Sequence, residues 1–259
     1  MFAYLKNMDI PAYTHSSVEL NENANPMNLP KYDPIYETNS ILARYFYFQK
    51  RYVLEDDLSS ASCHFYYVVK GKGMTQIGKS NVITIAWKEG DVIALPYMKV
   101  FVLHTAFVDT TLFSCDDSLY LEKLCVAPIS PLFKPIHFIK EIIAQESEKD
   151  CVFLRSEKTK DNDLSPSLSA QIIFIKPYIV KKPSLTNDST TIIIQCIDEN
   201  AYTLISSNID EGGSLIEPVK MDWKKGSNFV IPPHWWYVHG NDTKKTRSAF
   251  VVKHCSSQN

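Results

Sequence analysis

The residues best placed for chemistry lie in one aromatic stretch that follows the proline pair Pro232-Pro233. The pair predicts a bend, because proline cannot donate a hydrogen bond to a sheet ladder. In the strand that follows, side chains alternate between two faces, so Trp235, Tyr237 and His239 share one of them. We expect this face to look into a barrel, where the phenol and the imidazole can bind a ligand or act as acid and base.

The phrase that leads into this stretch occurs twice. Residues 87–96 and 223–232 share Trp, Lys, Gly and Pro in register with an apolar run. The offset is constant, since 223 − 87 and 232 − 96 both equal 136. A repeat that covers about half of the chain predicts two copies of one domain.

Short segments rich in β-branched and aromatic residues, separated by glycine turns, predict an all-β chain of antiparallel barrels. We expect an N-terminal arm (1–39), an N-terminal barrel (40–127), a linker (128–164) and a C-terminal barrel (165–259). Within the linker, isoleucines at helical spacing opposite charged residues predict a helix over about 136–149.

Composition excludes several classes of function. The net charge of −2 offers no basic surplus for phosphate contacts, so nucleic acid is not an expected partner. No apolar run approaches the roughly 18 residues of a membrane helix. Six cysteines without a Cys-x-x-Cys pair, and no apolar leader, favour a cytoplasmic protein with reduced thiols. A homodimer would cover exposed barrel edges.

The runs 66–73, 90–96 and 226–241 resemble the cupins, and specifically the double cupins (bicupins) of the gentisate 1,2-dioxygenase-like group, over residues 40–255. The resemblance implies two jelly-roll barrels in tandem with a short interdomain helix. In enzymes of this group it also implies a divalent metal, usually Fe(II), held by a His-x-His pair and a third histidine after the proline of the second motif. Three imidazoles leave positions open for substrate and O₂.

Carried onto this chain, none of the six ligand positions that the resemblance implies falls on a histidine. In the C-terminal copy they fall on Ser184, Thr186 and Tyr237. In the N-terminal copy they fall on Leu58, Ser60 and Phe101. Hydroxyl groups are poor ligands for a divalent transition metal, and Leu and Phe cannot ligate at all. The leading interpretation is therefore a degenerate cupin without the family metal site and without a cofactor.

Such a protein would bind a small molecule, or would serve a structural or partner-binding role. Its expected pocket lies in the C-terminal barrel and is lined by Ser184, Thr186, Trp235, Tyr237 and His239. A hydroxyl-rich, aromatic wall is typical of small-molecule sites.

Two alternatives stay open. The first is an Fe(II)-dependent, gentisate-type dioxygenase, or one using another divalent metal, with His64, His104 and His239 as substitute ligands. His104 lies three residues after Phe101, so the two side chains should point to opposite faces of their strand. With Phe101 at an interior position, His104 should therefore face away from the barrel interior. A register shift in the loop 54–64, which has no internal landmark, would also change the ligand set. The second alternative is metal-independent catalysis by Tyr237 and His239.

Overall fold

A computed structural model describes residues 40–79, 82–156, 164–186 and 192–254, together with the backbone of 31–37. Its architecture is nearly all β, as the sequence predicts, with four antiparallel sheets arranged as two barrels. The remaining residues of the expected N-terminal arm, 1–30 and 38–39, lie outside the described part of the chain.

The N-terminal barrel is built from nine strands. These are β1 (Lys31–Glu37), β2 (Leu42–Phe48), β3 (Val53–Asp57), β4 (Cys63–Lys70), β5 (Lys72–Ile77), β6 (Ile83–Lys88), β7 (Val92–Pro96), β8 (Phe101–Ala106) and β9 (Thr110–Asp116). One sheet has the order β1-β2-β9-β4-β7 and gains a sixth strand from the linker; the other has the order β3-β8-β5-β6. The part of the arm over 31–37 is thus a sheet strand, because its backbone pairs with the otherwise open edge of β2.

The C-terminal barrel repeats this plan. Its strands are β12 (Leu168–Ile175), β13 (Ile179–Val180), β14 (Ser184–Leu185), β15 (Ile192–Cys196), β16 (Tyr202–Ser206), β17 (Val219–Asp222), β18 (Asn228–Ile231), β19 (Trp236–Asn241) and β20 (Arg247–His254). Its two sheets have the orders β12-β20-β15-β18 and β13-β19-β16-β17, with β14 also pairing with β19. The pairings β4–β7 and β15–β18 correspond, and the offset of 136 relates β7 to β18.

The segment between the barrels begins with α1 (Ser118–Lys123), which precedes the linker. The linker carries β10 (Ile136–Phe138), α2 (Lys140–Gln145) and β11 (Cys151–Phe153). The helix predicted over about 136–149 therefore exists, but its predicted bounds are wrong, since α2 begins later and ends earlier. Residues 136–138 pair instead with Val92, Ile93 and Ala94 of β7, which satisfies their backbone groups in a sheet. Within the described residues, neither helix is long and apolar enough to cross a membrane.

Apolar side chains form three cores. One fills the N-terminal barrel, one fills the C-terminal barrel, and one lies between the outer faces of the two large sheets. In the third, the ring of Phe250 packs against Phe65 and Tyr67 at centroid distances of 6.5 and 5.8 Å. Each large sheet is therefore buried on both faces, which holds the two barrels side by side.

Asp117 joins the N-terminal barrel to the start of the C-terminal one. Its side chain is fully buried, and it accepts hydrogen bonds from the Ser62 amide at 2.8 Å and the Ser62 hydroxyl at 2.5 Å. The hydroxyls of Ser167 and Ser165, just before β12, donate to the same carboxylate at 2.6 and 3.2 Å. Four donors thus converge on one buried carboxylate, and we call this group the Asp117 hydrogen-bond cluster.

A second carboxylate, Asp91, fastens the linker to β7. His137 Nε2 lies 2.9 Å from its Oδ2, and the backbone amides of Lys140 and Lys88 donate to it at 2.9 and 3.1 Å. Burial on its own would raise the pKa of Asp91, but these hydrogen bonds outweigh burial and hold the pKa below its ordinary value. The ionised carboxylate is therefore the form that the fold stabilises.

We expect Asp91→Asn to lower the free energy of unfolding by about 1–2 kcal/mol at pH 7, because it removes charge-assisted hydrogen bonds. A lowered pKa gives a contribution that is present above the unfolded-state pKa and lost as pH falls through the folded-state value. The gap between wild type and variant should therefore close on acidification below about pH 4. Urea unfolding across this range measures it, and Asp222→Asn, in an exposed ion pair with Lys220, is the control. A gap that widens in acid would contradict the assignment.

Candidate functional site: a polar pocket in the C-terminal barrel

The C-terminal barrel has a half-open pocket of about 630 Å³ between its two sheets. Such a volume suits a small organic ligand. Its apolar wall is formed by side chains that include Ile173, Ile192 and Val251, and its described lining also holds Gln171, Ser184, Tyr237, His239 and four lysines. Ser184, Tyr237 and His239 were predicted to line a pocket here, and the structure brings all three together.

Tyr237 lies in the middle of this wall, because its strand, β19, pairs with β14 on one side and with β16 on the other. Ser184 lies directly opposite it in the ladder, and a hydrogen bond joins the two side chains. Burial raises the pKa of Tyr237 above its ordinary value, and the Ser184 hydrogen bond offsets only part of that rise. The phenol is therefore protonated at neutral pH and can act as a hydrogen-bond donor.

His239 lies two residues further along the same face, with its ring centroid 5.2 Å from that of Tyr237. Its Nδ1 is 2.9 Å from Oγ1 of Thr203, and that oxygen accepts a hydrogen bond from Nε1 of Trp223, also at 2.9 Å. We call this chain of three side chains the Trp–Thr–His relay. Burial, reinforced by the positive charges of Lys181 and Lys253, lowers the pKa of His239 to about 3. The imidazole is therefore neutral under ordinary conditions.

The N-terminal barrel contains the same relay. Trp87 Nε1 donates to Oγ1 of Thr75 at 2.9 Å, and that oxygen lies 2.9 Å from Nδ1 of His104. His104 is fully buried, and burial lowers its pKa to about 4. It points into the barrel, so the expectation that it faces away from the interior is wrong. The relay therefore marks equivalent positions in the two barrels.

Four lysines surround the C-terminal pocket, namely Lys176, Lys181, Lys182 and Lys253. Asp150 is the one acidic side chain in the described lining. It lies 3.6 Å from Lys181 but is 75% exposed, so solvent screens that pair. With four lysines and one aspartate, the described lining carries a strongly positive charge.

Two of the five predicted pocket residues lie elsewhere. The Thr186 hydroxyl donates to the carbonyl of Pro232 at 2.8 Å and accepts the amide of Trp235 at 2.9 Å, which ties down the bend before β19. Trp235 packs against the apolar core of the barrel. Tyr237 packs against the same core, so Trp235 shares its inward side, as the alternation predicts, but it lies outside the pocket lining.

The structure also corrects the positions expected in the N-terminal barrel. Asp56 pairs with Val102 of β8 in the N-terminal barrel, just as Ser184 pairs with Tyr237 of β19 in the C-terminal one. Val102 and Tyr237 each lie two residues before the histidine of their relay. Phe101 is 51% exposed and faces outward, so Val102 takes the interior position. The segment from Pro96 to His104 spans 8 residues, whereas the segment from 232 to 239 spans 7. This one extra residue explains the error.

The same register moves the first pair of positions by two residues. The equivalents of Ser184 and Thr186 are Asp56 and Leu58, not Leu58 and Ser60. Ser60 is exposed in the loop after β3, whereas Leu58 is fully buried in the barrel core. Correcting the register introduces no histidine at these positions.

The N-terminal barrel holds a cluster of buried polar side chains near its relay. Arg44 pairs with Asp116 at 2.7 Å, and Tyr66 donates to Asp56 at 2.6 Å. His64 is buried with its Nδ1 3.7 Å from Asp116, and its ring packs beside that of Tyr66 in this barrel. Burial, reinforced by Asp56, raises the pKa of Tyr66 well above its ordinary value.

The three histidines proposed as substitute ligands do not form one site. His64 and His104 belong to the N-terminal barrel, whereas His239 belongs to the C-terminal one. Within the described ranges, no group of three or more His, Cys, Asp or Glu side chains is arranged to hold a metal ion. Hydroxyls of Ser184 and Tyr237 beside a single imidazole are a poor donor set for Fe(II). The residues present therefore do not fit the metal that the resemblance implies.

Sequence reasoning missed Gln171, the pocket lysines and the two relays. Lys181-Lys182 stands directly before Pro183, but nothing local shows that it borders a cavity. The relay partners are 12 to 36 residues apart and become neighbours only through strand pairing. The signal that could have found them is the repeated tryptophan, since each copy is followed by a histidine on the second strand after it.

No known family model matches the sequence, and no curated protein matches it either. Among solved structures, a salicylate 1,2-dioxygenase from Pseudaminobacter salicylatoxidans is similar, with a TM-score of 0.64 and 14% identity over 85% of this chain and 72% of that one. A variant of this enzyme in complex with gentisate matches with a TM-score of 0.64 and 12% identity over 85% and 70%. A cupin 2 conserved barrel domain protein from Leptotrichia buccalis matches with a TM-score of 0.60 and 12% identity over 90% and 92%. At such identities the likeness concerns the fold.

Proposed function

We propose that this chain, which has the double-cupin fold of the salicylate and gentisate 1,2-dioxygenase-like proteins, binds a small organic anion in its C-terminal barrel. The observation that carries the proposal is the combination of a cavity of about 630 Å³ with four lysines in its lining. In the same proposal the protein acts in the cytoplasm, since the five described cysteines are all free thiols.

Charge favours an anion over a neutral or cationic ligand. A charge that lies about 4 Å from a lysine near a protein surface gains on the order of a few kcal/mol before screening. Hydrogen-bond donors suited to an acceptor oxygen stand in the same wall, where the Tyr237 phenol remains protonated because burial raises its pKa. Apolar side chains such as Ile173, Ile192 and Val251 suit the hydrocarbon part of the ligand.

Binding is a better interpretation than acid–base catalysis by Tyr237 and His239. An efficient general base or acid has a pKa close to the working pH. Here the pKa of Tyr237 is raised and that of His239 is lowered to about 3, so both shifts lead away from neutrality. Neither group is therefore poised to exchange a proton at pH 7.

A dioxygenase reaction finds little support in the donor set. The positions that the resemblance assigns to metal ligands hold Ser184, Thr186 and Tyr237 in one barrel, with Thr186 committed to the bend before β19. The corrected positions of the other barrel hold Asp56, Leu58 and Val102. We therefore place recognition in the lysines and hydrogen-bond donors of the pocket.

We expect benzoate, used as a probe, to bind the full chain more tightly than benzamide, its uncharged analogue. Lys181→Gln should weaken benzoate binding by about fivefold, which corresponds to roughly 1 kcal/mol for one partly screened charge. Raising the salt concentration should weaken benzoate binding further. Isothermal titration calorimetry measures each affinity.

The control variant is Lys225→Gln, which removes an exposed lysine that pairs with Glu89 and is not part of the pocket lining. It should leave the benzoate affinity unchanged. Equal affinities for benzoate and benzamide would contradict the proposal, as would a Lys181→Gln variant that binds benzoate like wild type. Benzoate binding that requires added Fe(II) would return the dioxygenase alternative to first place.

A further inference from the structure

The position of one hydrogen atom in the C-terminal relay follows from counting donors and acceptors. The indole Nε1 of Trp223 is always a donor, so Oγ1 of Thr203 accepts from it. Thr203 is fully buried, and within the described residues its hydroxyl has one further partner, Nδ1 of His239. The hydroxyl hydrogen therefore points at Nδ1, since leaving it unbonded in the core would cost about 1–3 kcal/mol.

This direction fixes the tautomer of His239. A neutral imidazole carries one hydrogen, either on Nδ1 or on Nε2. Because Nδ1 accepts from Thr203, the hydrogen resides on Nε2. His239 lines the pocket, and no protein group in the described part of the chain bonds its Nε2. The Nε2–H group is therefore free to meet a ligand.

We propose that Thr203 and Trp223 are positioning residues that hold His239 as the Nε2–H tautomer, so that the pocket selects ligands by an acceptor atom at this histidine. The proposal rests on the function proposed above and assigns the ligand's orientation within it. The acceptor of the anion meets Nε2–H of His239 beside the phenol of Tyr237, and its apolar part packs on the wall that includes Ile173 and Val251.

The N-terminal relay supplies independent support. Thr75 is also fully buried, and its hydroxyl also lies between an indole Nε1 and a histidine Nδ1. Nε2 of His104 is buried without a hydrogen-bond partner in the described residues, so either tautomer leaves that nitrogen unbonded. The Nε2–H tautomer is still favoured, because it alone gives the Thr75 hydroxyl hydrogen an acceptor, Nδ1. The two copies keep this arrangement although different side chains surround the histidine in each barrel. The relay is therefore an arrangement that orients a histidine, whatever the barrel around it holds.

The first test is the tautomer in the ligand-free full chain, measured by long-range ¹H–¹⁵N correlation spectra of histidine-labelled protein. We expect the Nε2–H pattern for His239 and for His104 at pH 7, with His239→Gln used for assignment. Thr203→Val should abolish the uniform tautomer of His239, and Thr203→Ser should restore it. An Nδ1–H pattern in wild type, or an unchanged pattern in Thr203→Val, would overturn the proposal.

The second test is the affinity for benzoate. Thr203→Val should weaken it by about fivefold, the equivalent of one net hydrogen bond of roughly 1 kcal/mol, whereas Thr203→Ser should stay within about twofold of wild type. Thr75→Val is the matched control, because it breaks the same contacts in the N-terminal barrel, away from the pocket of the C-terminal one. It should alter the His104 tautomer and leave the benzoate affinity unchanged.

The two tests separate the two proposals. Loss of affinity in both valine variants would indicate a purely structural role and would overturn the assignment of Thr203 as a positioning residue. If the ligand-free spectra show the Nε2–H tautomer but benzoate fails to bind, the anion-binding function is wrong and the ligand orientation falls with it. If benzoate binds and the tautomer is Nδ1–H, the anion-binding function stands and the relay assignment is wrong.

Discussion

Replacing Asp117 by alanine should lower the free energy of unfolding by about 3 kcal/mol, because four converging donors lose their shared acceptor in a buried place. These donors are the amide and hydroxyl of Ser62 and the hydroxyls of Ser165 and Ser167. The hydroxyls can recover part of the loss, since Ser62 and Ser165 already lie 2.9 Å apart. Asp117→Asn, which keeps an acceptor oxygen, should cost less than the alanine variant.

Urea unfolding followed by circular dichroism measures this effect. Asp57→Ala is the control, because this exposed carboxylate accepts one bond, from the Ser59 amide at 2.9 Å. It should change the free energy of unfolding by no more than about 0.5 kcal/mol. Equal unfolding midpoints for Asp117→Ala and Asp57→Ala would show that the Asp117 hydrogen-bond cluster contributes no stability.

Gly73→Ala should destabilise the N-terminal barrel by about 3 kcal/mol, the upper part of the range for overpacking. A Cβ at this position would lie 2.2 Å from the carbonyl oxygen of Thr105 and 2.5 Å from the ring of Trp87. The carbonyl belongs to β8, and the ring is fixed by its hydrogen bond to Thr75. Neither neighbour can move without breaking a strand pairing or the relay.

Gly212→Ala serves as the control, since a Cβ there would meet only the side chain of Asp210, at 3.3 Å. Its midpoint of thermal unfolding should stay close to that of wild type, while that of Gly73→Ala falls by about 10 °C or more. The His104 resonances should also lose the Nε2–H pattern in Gly73→Ala. A variant that unfolds like wild type would mean that β5 and β8 can separate to admit a methyl group.

The sequence predicted the architecture well because its strongest signal, the repeat at an offset of 136, reports on whole domains. Both copies of the repeated phrase end in buried strands that pair in the same way. Strand alternation also placed Tyr237 and His239 on one inward face. The double-cupin fold inferred from these runs is confirmed by the arrangement of the four sheets.

Errors arose where the two copies differ in length or where pairing overrides periodicity. The extra residue before His104 turned Phe101 outward, which no pattern within the motif could show. Ile136 and its neighbours have helical spacing, yet their backbones complete the edge of a sheet. Of the pocket lysines, Lys253 lies on β20, whereas the other three lie in the connections that follow β12 and β13. Their proximity therefore depends on tertiary structure alone.

On the ribosome, the N-terminal barrel cannot close before residue 116 has emerged, because β2 pairs with β9 along its whole length. Its outer sheet then presents Phe65 and Tyr67 without their partner Phe250, which is synthesised 134 residues later (250 − 116). During that interval an apolar β surface faces water, the condition under which nascent chains aggregate or recruit chaperones. The side-by-side packing of the barrels thus makes the nascent N-terminal half dependent on the half that follows it.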